Sequence, residues 1–232
     1  MAARSLILRG ARALSPKVRE LTFDPGPGFS FEPGQWVSVE VPYGAETIAR
    51  SYSIASAPRA DRTFDVAVTR VEGGPGSGFL HAMEVGATIG CAEPRGFFTL
   101  PASLARPLVF VATGTGVAPF RAMVQALERH PDPPAVTLLF GVREEIDVLC
   151  AVEFDATSRE HPWFTFAPTL SRGAPSWRGR RGYVQSHLAD VIDGRDVDVF
   201  VCGLNAMVRE ARRTLRETLG LPRERVHSER YD

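Results

Sequence analysis

The chain has 232 residues, 44% of them hydrophobic, enough to supply the core of one large domain or of two ordinary ones. Lys+Arg and Asp+Glu number 27 each, so the formal charge is zero and no global field draws the protein to nucleic acid or to an anionic membrane. Met1 to Leu14 holds no uninterrupted apolar core of signal-peptide length, and no stretch approaches the roughly 18 apolar residues of a membrane span, so a soluble, cytoplasmic protein is expected.

In chain order, six short segments broken by Pro and Gly read as strands: Leu6 to Leu14, Val18 to Phe23, Trp36 to Val41, Arg50 to Ile54, Phe64 to Val71 and Thr88 to Ala92. Alternation such as Val37, Val39, Val41 suits an antiparallel sheet with one buried face, and a small closed six-stranded β-barrel is the expected arrangement. A helix is expected from about Ser77 to Val85, after Gly73-Gly74-Pro75-Gly76.

Past Arg106-Pro107 the rhythm changes. Leu108 to Ala112, Val136 to Phe140, Trp163 to Pro168 and Val197 to Cys202 are compact apolar runs, each followed by helical spacing, which implies a doubly wound parallel sheet. The clearest helix runs from Asn205, placed as its cap, to Leu219, and a last short strand from Arg225 to Ser228. The boundary falls between domains of residues 1–103 and 104–232.

The strand Leu108 to Ala112 meets a helix from Val117 to Arg129 through Thr113-Gly114-Thr115-Gly116. Such a crossing lies at the carboxyl edge of a parallel sheet, where two glycines let a pyrophosphate approach the helix start. Pro119 falls in the first helical turn, where its missing donor costs little. Cys91, Cys150 and Cys202 lie too far apart for a zinc or iron-sulfur motif, and the five histidines have no metal-like spacing, so no metal is expected. Glu144-Glu145 reads as a solvated loop.

Four segments stand in the order of one known family: Arg50-Ser51-Tyr52-Ser53, Gly74-Pro75-Gly76-Ser77, Gly114-Thr115-Gly116-Val117-Ala118-Pro119 and Cys202-Gly203. On these the chain resembles the ferredoxin-NADP reductase family over nearly its whole length. The resemblance implies a flavin-binding barrel followed by an NAD(P)-binding domain. It also implies FAD rather than FMN, although no adenine-stacking aromatic stands beside Thr69 and Arg70. Arg50 would meet the flavin phosphate, Tyr52 would lie against the flavin, and Ser53 would hydrogen-bond near the nitrogen that accepts hydride. Ser51 alternates with them on the strand, while Gly74, Gly76 and Ser77 would bring helix-start amides to the flavin pyrophosphate. Thr115, Gly116 and Gly203 fall to the pyridine nucleotide.

In NADPH-using members a Ser-Arg pair, a basic residue nine positions later and a Tyr two further on surround the extra ribose phosphate; Ser171, Arg172, Arg181 and Tyr183 hold those places. No acidic residue stands between Ser171 and Gln185, so NADPH is expected over NADH, with Arg172→Ala or Arg181→Ala weakening NADPH alone. The resemblance further assigns Ser53, Cys202, Glu229 and Tyr231 to the hydride site, Tyr231 also lying against the flavin; here Asp232 follows that tyrosine. The implied activity is electron transfer between NADPH and a separate carrier, ferredoxin or flavodoxin, by a monomer. Two alternatives are the reductase of an oxygenase or of free flavin, and a non-catalytic regulatory subunit. Intact Arg50, Tyr52, Ser53 and Cys202 argue against the latter.

Overall fold

A computed structural model describes residues 4–231, so the first three residues of the Met1 to Leu14 segment, and Asp232, lie outside the described residues. The chain divides into two compact units, Met1–Leu100 with Ala118–Arg129, and Pro101–Val117 with His130–Asp232. Among the described residues no helix is long and apolar enough to cross a membrane.

Unit 1 contains β1 (Arg4–Ser15), β2 (Val18–Asp24), β3 (Trp36–Tyr43), β4 (Glu46–Ser53), β5 (Phe64–Thr69) and β6 (Thr88–Cys91). They form an antiparallel sheet in the order β4-β3-β6-β1-β2-β5. The two edges meet at an Ile54–Val66 bridge, reinforced where Ala55 N–H donates to the Asp65 carbonyl at 2.7 Å, and this closes the barrel expected from the alternation. Leu6, Leu8, Leu21, Phe23, Val37, Val39, Val41, Phe64, Val66 and Val68 fill its interior, as a period of two requires.

Strand β4 starts four residues earlier than expected. Gly44-Ala45 makes a two-residue hairpin turn with Gly44 at φ 61, which pairs Tyr43 with Glu46 and carries the ladder through the polar end of the strand. Helix α1 (Pro75–Ala82) likewise begins before Ser77, because Pro75 occupies the first helical position, where no N–H is needed. Helix α2 (Ala118–Leu127) completes the unit.

Unit 2 is a parallel sheet of β7 (Leu108–Thr113), β8 (Val136–Val142), β9 (Phe164–Leu170), β10 (Arg180–Arg181), β11 (Asp198–Leu204) and β12 (Val226–Tyr231). The order is β10-β9-β8-β7-β11-β12. On one face Val109, Val111, Leu139, Val199 and Val201 pack with Leu188 and Val191 of α4 (Leu188–Ile192) and Met207, Val208 and Ala211 of α5 (Asn205–Arg213). On the other face Phe154 of α3 (Ala151–Glu160) lies 6.1 and 5.2 Å from the rings of Phe164 and Phe166.

Asn205 is the first residue of α5 rather than its cap: Leu204, extended at ψ 136, holds that place with no side-chain hydrogen bond. The helix also stops short of Leu219, giving way at Thr214–Thr218 to a π turn in which Leu219 N–H reaches the Thr214 carbonyl at 2.9 Å. Leu215 stays buried and Leu219 still packs on the same core, so the four-residue spacing marked the right face. Glu144-Glu145 leads into a short 3₁₀ turn, Glu145–Asp147, capped by the Glu144 and Asp147 side chains.

Candidate functional site

The first motif lies on β4 in unit 1. Arg50 and Tyr52 stand opposite Val39 and Val37, while Ser51 and Ser53 stand opposite Ser38 and Trp36 and therefore on the other face. Tyr52 is half-buried against the barrel core, Arg50 and Ser51 are exposed, and Ser53 is buried. Burial raises the Tyr52 phenol above its ordinary value and the Arg50 charge opposes this, so the ring is a neutral surface at physiological pH.

The second motif converges on the first. A Cβ placed on Gly76 would lie 2.8 Å from Arg50 Cγ and 3.3 Å from the Tyr52 hydroxyl, so the start of α1 can approach these side chains only without one of its own. Gly74 is the N-cap of α1, and the Gly76 and Ser77 amides belong to the first turn, which has no intrahelical acceptors. The Ser77 hydroxyl is directed at its own loop, accepting from Val71 N–H at 3.0 Å and lying 3.2 Å from the Gly74 carbonyl. It shapes the 71–77 turn. An exposed guanidinium beside a helix start fits a flavin phosphate, and the half-buried phenol beside it fits a flat ring.

In unit 2 all parallel strands end at one edge, which gathers the nucleotide-type residues. After β7 comes a 3₁₀ turn, Gly114–Val117, with Gly114 at φ 54. A Cβ on Gly116 would lie 2.4 Å from the Cys202 carbonyl oxygen, and one on Gly203, itself at φ 142, would lie 2.3 Å from Thr113 Oγ1. Leu204 N–H donates to that same hydroxyl at 3.3 Å. The Gly114-Thr115-Gly116 and Cys202-Gly203 motifs are therefore two sides of one backbone-to-backbone contact. Absence of a side chain at Gly116 serves this contact as well as any ligand. The turn, with Thr115 partly exposed, fits a pyrophosphate.

Beside it β11 and β12 pair Cys202 with Glu229 and Leu204 with Tyr231. Cys202 is fully buried, and this burial raises its thiol well above the usual value; the Glu229 charge adds to the rise and a hydrogen bond with the Tyr231 side chain opposes it. The structure thus brings Cys202, Glu229 and Tyr231 together around a neutral thiol, while Ser53 stands in unit 1.

At the outer strands Arg172 and Tyr183 are exposed, Tyr183 by 69%, and Ser171 Oγ donates to the Val142 carbonyl at 3.4 Å. Arg181 is engaged differently from Arg172. Its guanidinium donates to the carbonyls of Gly173, Ala174 and Trp177 at 2.9, 2.7 and 2.9 Å and ties down the loop between β9 and β10. Arg143, at the carboxyl end of β8, lies next to Arg172, whose N–H donates to the Arg143 carbonyl at 2.8 Å. Sequence reasoning missed Arg143. The signal was available, since it directly follows a parallel strand at the edge where ligands bind.

A family model for the oxidoreductase FAD-binding domain matches residues 5–100, and one for the oxidoreductase NAD-binding domain matches residues 110–213. Ferredoxin-NADP reductase B of Sorangium cellulosum is 47% identical over 97% of this chain and 96% of its own length. The chain belongs to the ferredoxin-NADP reductase family. As a family member it is a flavin-dependent oxidoreductase with FAD and a pyridine dinucleotide as cofactors. The xylene/toluene monooxygenase electron transfer component XylA of Pseudomonas putida is 33% identical over 98% of the chain but 65% of its own length. A ferredoxin NADP+ reductase from Neisseria gonorrhoeae, solved with bound FAD and NADP, shares the reductase fold at a TM-score of 0.85 and 22% identity, each chain covered to 99%.

Proposed function

We propose that this reductase moves electrons between NADPH and a one-electron carrier protein, ferredoxin or flavodoxin, with residues 1–103 binding FAD and residues 104–232 binding the nucleotide. The observation that carries the reading is the 47% identity with ferredoxin-NADP reductase B along nearly the whole of both chains. FAD supplies a centre that accepts two electrons as hydride and releases them singly. Arg50 and the first-turn amides of α1 at Gly76 and Ser77 would hold its phosphates, with Gly74 and Ser77 shaping the turn and Ser51 on the outer face of the strand. Tyr52 would lie against the ring system, and Ser53 would offer its hydroxyl to the nitrogen that accepts hydride.

Thr115 and Gly116 present amides to the dinucleotide pyrophosphate, and Gly203 lets the chain turn beside them. Ser171, Arg172 and Tyr183, joined by Arg143, hold the ribose phosphate of NADPH, while Arg181 keeps their loop in place. Two exposed arginines at adjoining strand ends, neither in an ion pair with a carboxylate among the described residues, favour that phosphate over the free ribose of NADH. Cys202 would offer a neutral, polarisable thiol to the nicotinamide, Glu229 would orient the reacting pair, and Tyr231 would lie against the flavin. The same reading makes the protein a cytoplasmic monomer.

The purified protein should be yellow, release FAD on denaturation, and bleach anaerobically with NADPH faster than with NADH. Reoxidation by ferredoxin or flavodoxin supports the carrier assignment; protein that holds no flavin or stays oxidised overturns the reading. The relationship to the XylA electron transfer component favours one second reading, service to an oxygenase, which predicts reoxidation by an oxygenase partner and not by ferredoxin or flavodoxin. Ser53→Ala should retain FAD yet slow its reduction in stopped-flow absorbance by about tenfold or more.

A further inference from the structure

Helix α2 follows the nucleotide-type turn in sequence, yet it groups with the barrel in unit 1. Arg121, Gln125 and Arg129 recur at four-residue spacing on its barrel-facing side and on the turn just beyond it. Each engages the backbone that continues from the flavin strand. Arg121 Nη1 donates to the Ala55 carbonyl at 3.0 Å, Gln125 Oε1 accepts from Ala57 N–H at 2.9 Å, and Arg129 Nη1 donates to the Pro58 carbonyl at 2.7 Å. That segment begins two residues after Ser53.

The same arginine enters a buried set of charges. Arg121 lies 2.9 Å from Glu20 Oε2 and 3.3 Å from Asp65 Oδ2, and the three residues are 5%, 5% and 2% exposed. Arg59 and Thr22 also hold Asp65, Arg12 also holds Glu20, and Asp65 N–H donates to Ser56 Oγ at 3.0 Å. Segment 55–58 is thus fixed from the barrel side and from α2 at once. A buried ion network contributes little net stability compared with apolar packing of the same volume, but its directional bonds restrict where the bonded backbone can sit.

We propose that Arg121, Gln125 and Arg129 form a ladder of positioning residues that sets segment 55–58, and through it the placement of Ser53 at the flavin, for hydride transfer. The proposal rests on the reading of β4 as the flavin strand. It assigns a role to side chains of α2 that a helix serving only to present its amino end would not need.

The test uses the FAD-loaded protein and the variants Gln125→Leu, Arg121→Met and Arg121→Lys. Hydrogen exchange of the peptide containing residues 54–58, FAD content, NADPH affinity and single-turnover reduction are measured on each. Gln125→Leu and Arg121→Met should speed exchange of that peptide, keep FAD, leave NADPH affinity within about twofold, and slow reduction per bound flavin by about tenfold or more. Arg121→Lys, which keeps the charge, should recover part of the rate. If Arg121→Met does not fold, Gln125→Leu, which keeps every charge, decides. Unchanged exchange, or faster exchange with an unchanged rate per flavin, overturns the ladder alone. Wild-type protein that carries FAD but is not reduced by NADPH overturns the proposed function and this role with it.

Discussion

The Arg181 guanidinium is bonded to three carbonyls of its own loop, whereas Arg172 and Arg143 are exposed side by side at the strand ends. Arg172→Ala and Arg143→Ala should therefore weaken NADPH about tenfold to a hundredfold, the worth of one charge-assisted contact, and leave NADH almost unchanged. Arg181→Ala should weaken NADPH as well and leave NADH almost unchanged, because the loop that Arg181 fixes carries Arg172. This keeps the NADPH-only effect expected from the motif and gives it a second route, through the loop. Difference-spectral titration with each nucleotide measures it, and an Arg181→Ala effect shared equally by NADH would remove Arg181 from the phosphate site. The cysteines differ in a similar way. Burial pushes the Cys91 thiol up to about 12 and raises that of Cys202, whereas Cys150 is partly exposed. Iodoacetamide at mildly alkaline pH should label Cys150 in the native protein and spare the other two, as read by peptide mass spectrometry. Residue types at Arg172 and Cys202 were legible in the chain; which guanidinium is already engaged was not, since a side chain's acceptors depend on how its loop folds back.

At the scale of elements, the contact of the Gly114–Val117 turn with the end of β11 joins two motifs far apart in sequence. A methyl at Gly116 meets backbone rather than a movable side chain, so Gly116→Ala must shift the turn or β11. It should cost about 1–3 kcal/mol of stability and lower nucleotide affinity while FAD stays bound. Thermal unfolding and nucleotide titration check this, and unchanged values of both would mean that the turn yields freely. The strand and helix assignments were mostly readable because periods of two and of three to four expose the buried face directly. The shortfalls have local causes: Pro75 moves the start of α1, a hairpin glycine extends β4, and the π turn ends α5 early.

At the scale of the molecule, unit 1 is held by apolar barrel packing and by the Glu20–Arg121–Asp65 charges. Asp65 has its carboxyl held below its ordinary value: burial opposes ionisation, but bonds from Arg59 and Thr22 and the Arg59 and Arg121 charges outweigh it. A carboxyl lowered on folding stabilises the fold above its unfolded value, near 4, and that stabilisation is lost as pH falls from there through the folded value. Melting temperature should therefore fall as pH is lowered from about 4, and Asp65→Asn should lower it at neutral pH while flattening that dependence. Equal slopes for wild type and variant would remove Asp65 from the account. The sequence by itself determined the two-part architecture, the sheet types and the order of the cofactor motifs, because alternation, glycine turns and short motifs are local properties of the chain. Only the tertiary structure decided that α2 groups with the barrel, that Arg181 serves its loop, that Arg143 lies beside Arg172, and that Gly116 meets Cys202. Apart from the Arg181 bonds, which close its own loop, these are contacts between residues distant in sequence, and no local pattern records which groups the packed chain brings within bonding range.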